Sequence, residues 1–127
     1  MQIRNVYGID LGTSTVKIYD LKKDTITKEK NMIAIRNREQ VIAVGNYAYE
    51  MHERTPSNIE VITPMSNGRI ANVLMVEAVL HTLLHRCKRH MGYRPELYFS
   101  VPCDMTEIER RSYCLLYTSD AADDLIG

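Results

Sequence analysis

Asp10, Gly12, Thr13, Ser14, Thr15 and Lys17 fall within one short stretch, YGIDLGTSTVKIYD, residues 7–20. These are the residue types of a phosphate cradle. A glycine at position 12 lets the backbone turn tightly and approach a ligand with no Cβ in the way. Successive N–H groups in such a turn form a concave anion site, and the hydroxyls of Thr13, Ser14 and Thr15 add donors to phosphate oxygens. Asp10, at the end of an apolar run, suits a hydrated magnesium ion, which keeps several waters and takes one or two carboxylates. The Lys17 ammonium lies two residues past the turn, within reach of a terminal phosphate. The same residues also suit a plain β-hairpin with a glycine in its turn, and the motif alone does not separate the two.

Three other groups invite a chemical reading. His81 and His85 are four residues apart with Glu77 one turn earlier, but two histidines lacking a third ligand make a weak metal site. A solvated helix face is the preferred reading. The segment RCKRHMGYRP, residues 86–95, packs the cations Arg86, Lys88, Arg89 and Arg94 around Met91 and Tyr93. Cations at a helix end complement its dipole, so a charged helix terminus is the plain alternative to a binding role. The three cysteines are odd in number and form no Cys-x-x-Cys pair, which favours reduced thiols over a disulfide framework. Cys87 and Cys103 read as core residues, with no local basic partner to mark a nucleophile.

The elements that would position these groups follow from periodicity. Residues 5–10 and 15–21 read as strands around the Gly12 turn, and 32–36, 41–44 and 59–62 as further short strands. A short helix over 47–52 ends before Pro56, and Asn67-Gly68 marks a tight turn. From Asn72, a suitable N-cap, the period changes to about 3.6. Val73, Val76, Val79, Leu80, Leu83, Leu84 and Cys87 then make one apolar stripe, stopped by Gly92 and Pro95. Residues 96–102 read as a buried strand. Thr106 and Glu109 have capping-box spacing for a last helix, with Glu109, Arg110 and Arg111 on its solvated face. The order predicts an α/β layer with a mixed sheet, flanking helices and a small α/β insert.

Composition sets the outer bounds. With 127 residues, 45% hydrophobic and 25% charged, the chain suits one modest globular domain. It has no apolar run of the length that spans a membrane and no signal-peptide pattern at its start. Formal net charge is zero, and Asp120, Asp123 and Asp124 sit in the last eight residues, leaving residues 1–113 with 16 basic and 13 acidic side chains. That excess is too weak to imply nucleic acid as a partner.

The motif GIDLGTST resembles the first phosphate loop of the actin, sugar kinase and DnaK-type chaperone superfamily. The block AVGNYAYEMHERTPSNIEVITPMSNGRIANVLMVEAVL, followed by SVPCDMTEIERR, resembles the MreB family of bacterial actin homologues. The likeness covers residues 1–113, and its most specific part is the spacing across residues 54–71. It implies the N-terminal part of an actin-like (ribonuclease H-like) ATPase domain. Residues 1–31 and 69–113 would make most of subdomain IA, and residues 32–68 the small subdomain IB. It also implies ATP and magnesium, with Gly12, Thr13, Ser14, Thr15 and Lys17 at the phosphates and Asp10 holding magnesium through water. Lys17 matches the actin lysine, Thr15 replaces a frequent asparagine, and Asn72 replaces a frequent aspartate.

The resemblance further implies self-assembly into filaments, wall-synthesis membrane proteins as partners, and a cytoplasmic place on the inner face of the plasma membrane. Met91 and Tyr93 would enter an anionic membrane, with Lys88, Arg89 and Arg94 on its headgroups. The second phosphate loop and the catalytic acid of the family do not follow Arg111, so the chain as it stands is expected to lack ATPase activity. A superfamily kinase, a chaperone ATPase and a stand-alone binding module without nucleotide are the alternatives. Residues 114–127 resemble the in-frame translation of a transposon-end sequencing adapter and are set apart from the expected fold. The end of a genuine helix is the other reading, because Leu115 and Leu116 follow Ile108 by seven and eight residues.

Overall fold

The computed structural model describes residues 5–52, 54–87 and 95–126, with side chains as far as Leu116. Strands β1 (Val6–Leu11) and β2 (Thr15–Asp20) pair antiparallel through the Gly12 turn, and β3 (Thr25–Lys30) pairs antiparallel with β2. A second sheet is built from β4 (Ile33–Arg36), β5 (Gln40–Val44) and β6 (Ile59–Ile62) in the order β5-β4-β6, with helix α1 (Asn46–Met51) between β5 and β6. The hairpin β7 (Met65–Ser66) and β8 (Arg69–Ile70) turns at Asn67 and Gly68, both with positive φ. Helix α2 (Val73–Cys87) leads to β9 (Glu96–Ser100), which lies parallel to β1, and α3 spans Glu107–Ile126. The first sheet is therefore mixed, in the order β3-β2-β1-β9.

Alternation along β1 and β2 separates the two faces of this sheet. Tyr7, Ile9, Leu11, Val16 and Ile18 point inward and share one core with Val76, Val79, Leu80, Leu83 and Leu84 of α2. The apolar stripe expected on α2 is the buried one, with Val73 and Cys87 packed at its margins. Asn72 caps the helix, its Oδ1 accepting the Met75 N–H at 3.2 Å. The two sheets are joined where Glu29 of β3 accepts the Asn46 N–H at 2.9 Å and Asn46 Oδ1 accepts the Lys30 N–H at 3.0 Å.

Four expectations need correction. Residues 25–30 form a strand that periodicity missed. Its TITKEK pattern carries no buried apolar face, because it lies at the sheet edge. Residues 96–102 are not buried throughout: the strand stops at Ser100, only Leu97 is fully buried, and Tyr98 is 62% exposed on the sheet's outer face. Cys103 is exposed in the turn before α3 rather than in the core. Glu109 is turned into an ion pair instead of lying on a solvated helix face. Residues 114–126, set apart above, continue α3; Leu116 is buried in the core, whereas Ile108 and Leu115 both face outward.

Candidate functional site

The Gly12 turn closes with the Gly12 N–H donating to the Thr15 carbonyl at 2.9 Å. A Cβ at position 12 would lie 2.9 Å from that same carbonyl oxygen, closer than real Cβ contacts go, so the turn requires glycine. Behind the turn stands Asn31, fully buried just after β3. Its N–H donates to the Ser14 carbonyl at 2.9 Å, and its Nδ2 donates to the Gly12 carbonyl at 2.8 Å. Among the described residues, Asn31 Oδ1 is the one buried side-chain polar atom that lacks a hydrogen-bond partner. Such an orphan costs about 1–3 kcal/mol. Thr13 and Ser14, at the tip, are exposed.

The Thr13 hydroxyl accepts the Gly68 N–H, which joins the turn to the β7–β8 hairpin. A hydroxyl that accepts one bond still has its own proton to donate, so Thr13 remains able to serve a phosphate oxygen. Next to Gly68, Arg69 Nη1 donates to both carboxylate oxygens of Glu109 at 2.7 Å, and Nη2 donates to Asp104 at 2.9 Å. Glu109 also accepts the Thr106 N–H at 3.0 Å, and the Thr106 hydroxyl accepts the Glu109 N–H at 3.2 Å. This is the expected capping box. The Arg69 guanidinium, then the Thr106 N–H, hold the Glu109 carboxyl below the usual carboxylate range. Burial, with Glu109 nearby, pushes the Tyr113 phenol up.

Asp10 and Lys17 are partners in the β1–β2 register, and Asp10 is also paired with Ser100 of β9. Lys17 is paired in turn with Lys28 of β3. The four make one row across the outer face of the sheet. Beside it runs a second row, Ile26–Tyr19–Gly8–Tyr98. A groove of about 340 Å³ follows the two rows, lined by Gly8, Asp10, Lys17, Tyr19, Tyr98 and Ser100 among others. The strand end thus presents one carboxylate and a serine hydroxyl on an open face, a donor set that fits a magnesium ion held through its waters.

The structure therefore brings Asp10, Gly12, Thr13, Ser14, Thr15 and Lys17 together at one end of the sheet, and adds Asn31, Gly68 and Ser100. Ser100 was hidden because its place depends on a parallel pairing across some 90 residues of chain. His81 and His85 are neighbours with ring centroids 4.3 Å apart, and no group of three metal-ligating side chains occurs among the described residues. Lys88, Arg89, Met91, Tyr93 and Arg94 lie outside the described residues. Among the described residues no helix is long and apolar enough to cross a membrane.

Comparison with known proteins gives this arrangement a context. The chain is 35% identical over 107 residues to the cell shape-determining protein Mbl of Bacillus cereus, a match covering 83% of this chain and 32% of the relative. It is 34% identical over 115 residues to the cell shape-determining protein MreB of Escherichia coli, covering 85% and 33%. The crystal structure of MreB 5 of Spiroplasma citri bound to AMPPNP superposes with a TM-score of 0.80 at 25% identity, covering 95% of this chain and 37% of that one. The chain thus spans about a third of the length of these relatives. The mixed sheet and its helices are those of an actin-like protein of MreB type. The model of the MreB/Mbl protein family matches residues 4–123, and the chain belongs to that family.

Proposed function

We propose that this chain supplies the first phosphate-binding loop of a nucleotide-dependent, actin-like filament protein that maintains cell shape. The observation that carries the reading is the Gly12 turn, tethered from behind by Asn31 and joined through Thr13 to the next hairpin, in a member of the MreB/Mbl family. Thr13, Ser14 and Thr15 hold the nucleotide phosphates through backbone and hydroxyl donors, at a turn that Gly12 closes with its own N–H and leaves open, without a Cβ, to the phosphate. Lys17 lends positive charge, and Asp10 orients the waters of a magnesium ion. Magnesium, when bound, neutralises phosphate charge. The relative from Spiroplasma citri binding AMPPNP supports ATP as the ligand class.

In the longer protein the reading extends to polymerisation with copies of itself, to the organisation of wall synthesis with membrane partners, and to a peripheral place at the inner membrane face. Residues 1–31 and 69–113 would belong to one subdomain and 32–68 to another. Met91 and Tyr93 would enter the headgroup layer, with Lys88, Arg89 and Arg94 each contributing about 1 kcal/mol near an anionic surface.

The test is an NMR titration of the chain with magnesium and AMPPNP, following the backbone amides of residues 12–15. Saturable shifts confined to the turn and the Asp10 row are expected. Their absence in the folded chain would favour a binding module that takes no nucleotide. For the membrane contact, serine at positions 91 and 93 in the longer protein should abolish sedimentation with anionic liposomes; unchanged sedimentation would overturn that part.

A further inference from the structure

We infer that Asn31 is a positioning residue for the phosphate turn: it aims the Thr13 N–H at the ligand by holding the carbonyl on the other side of the same peptide. This rests on the phosphate reading of the turn and adds to it a residue outside the motif. The peptide unit joining Gly12 and Thr13 is planar and trans, so its C=O and N–H point in opposite directions; the described residues contain no cis peptide. Asn31 Nδ2 holds the Gly12 oxygen at 2.8 Å from the buried side of the turn. The Thr13 N–H must then face away from Asn31, toward the exposed tip. The Asn31 N–H holds the Ser14 oxygen at 2.9 Å, so one residue grips the tip at both ends.

Only a side chain with a proton to give satisfies the Gly12 oxygen, and a carboxylate of the same shape has none. Nor does turning the amide over serve, because it would set carbonyl against carbonyl. The unpaired Oδ1 follows from this: the amide is committed to one orientation by the turn, and its oxygen is left facing protein with no donor. A residue that merely filled the space would be apolar there. An amide kept at that cost indicates that the direction of the Gly12 carbonyl matters.

The experiment uses the whole 127-residue chain, with Asn31→Leu and Asn31→Asp beside the parent. Each is titrated with magnesium and tripolyphosphate, and affinity is taken per folded molecule from the resolved amide resonances. Affinity about tenfold or more weaker in both variants is expected, the size of one lost hydrogen bond to a charged group. A role confined to stability would lower the melting temperature and leave that affinity unchanged, which would overturn the inference while sparing the phosphate reading. Failure of the parent chain to bind would overturn the phosphate reading and the inference with it. A measurement on the parent chain alone covers the case in which both variants fail to fold. Through-hydrogen-bond coupling between Asn31 Nδ2 and the Gly12 carbonyl carbon is expected, and addition of tripolyphosphate should shift the Asn31 side-chain amide. If the coupling is missing, or the amide is indifferent to the anion while the turn responds, Asn31 does not aim the loop.

Discussion

At the scale of single residues, the turn leaves little freedom. Gly12→Ala would place a methyl group 2.9 Å from the Thr15 carbonyl oxygen, and the obstacle is backbone, which moves only with the hairpin. Overpacking of this kind costs about 1–3 kcal/mol. Urea unfolding should show a loss of that size, and the magnesium–AMPPNP titration a weaker site. The Glu109 carboxyl gives a second test. Its folded value lies below its unfolded one, because Arg69 and the Thr106 N–H favour the charged form. The linked stability is therefore complete above the ordinary carboxylate range and disappears as pH falls through the lower, folded value. Glu109→Gln should be less stable than the parent at pH 7 in thermal unfolding, with the two curves converging toward acid pH. A constant difference across that range would contradict the assignment. The residues of the turn itself were legible in sequence because glycine, hydroxyls and a carboxylate carry their chemistry in their types. Asn31 was not: its meaning depends on the pairing of β2 with β3, and β3 was the strand that periodicity failed to find.

Elements read well where one face is buried and poorly where none is. The α2 stripe was plain because Val76, Val79, Leu80, Leu83 and Leu84 all enter the core. The capping residue was plain as well, and Asn72→Ala should cost about 0.5–2 kcal/mol in urea unfolding. In contrast, TITKEK has no such face, and ELYFSVP is apolar enough to suggest burial that the open side of the sheet does not provide. Arg69 shows a contact that no local pattern contains. It holds the β7–β8 hairpin to the N-terminal turn of α3 across about 40 residues. Arg69→Met should leave both elements formed yet speed amide exchange in residues 106–109. Unchanged exchange there would mean that the ion pair does not bind hairpin to helix.

For the whole molecule, the question is what the open face and the last helix contribute. Tyr98 and Ile26 are 62% and 64% exposed on the outer face of the four-stranded sheet, an arrangement that favours association of the isolated chain. Ile26→Ser with Tyr98→Ser should reduce concentration-dependent sedimentation while leaving the circular dichroism spectrum unchanged. Leu116 tests the end of the chain. It is 1% exposed, and truncating a buried leucine costs about 2–5 kcal/mol, so Leu116→Ala should destabilise the domain by that amount if α3 docks as described. An unaffected unfolding curve would detach residues 114–126 from the fold.

The place of β9 also has a meaning in time. The β1–β2–β3 meander is continuous in sequence and can form as soon as it is made. Its central strand β1 nevertheless acquires its parallel neighbour only when residues 96–100 arrive. At about 5–20 residues per second of synthesis, the edge of β1 and the apolar side of the nascent hairpin wait for several seconds before α2 and β9 cover them. A strand made well before α2 and β9 is thus among the last to be secured. Refolding should therefore be paced by closure of that long loop rather than by the hairpin that carries the phosphate turn.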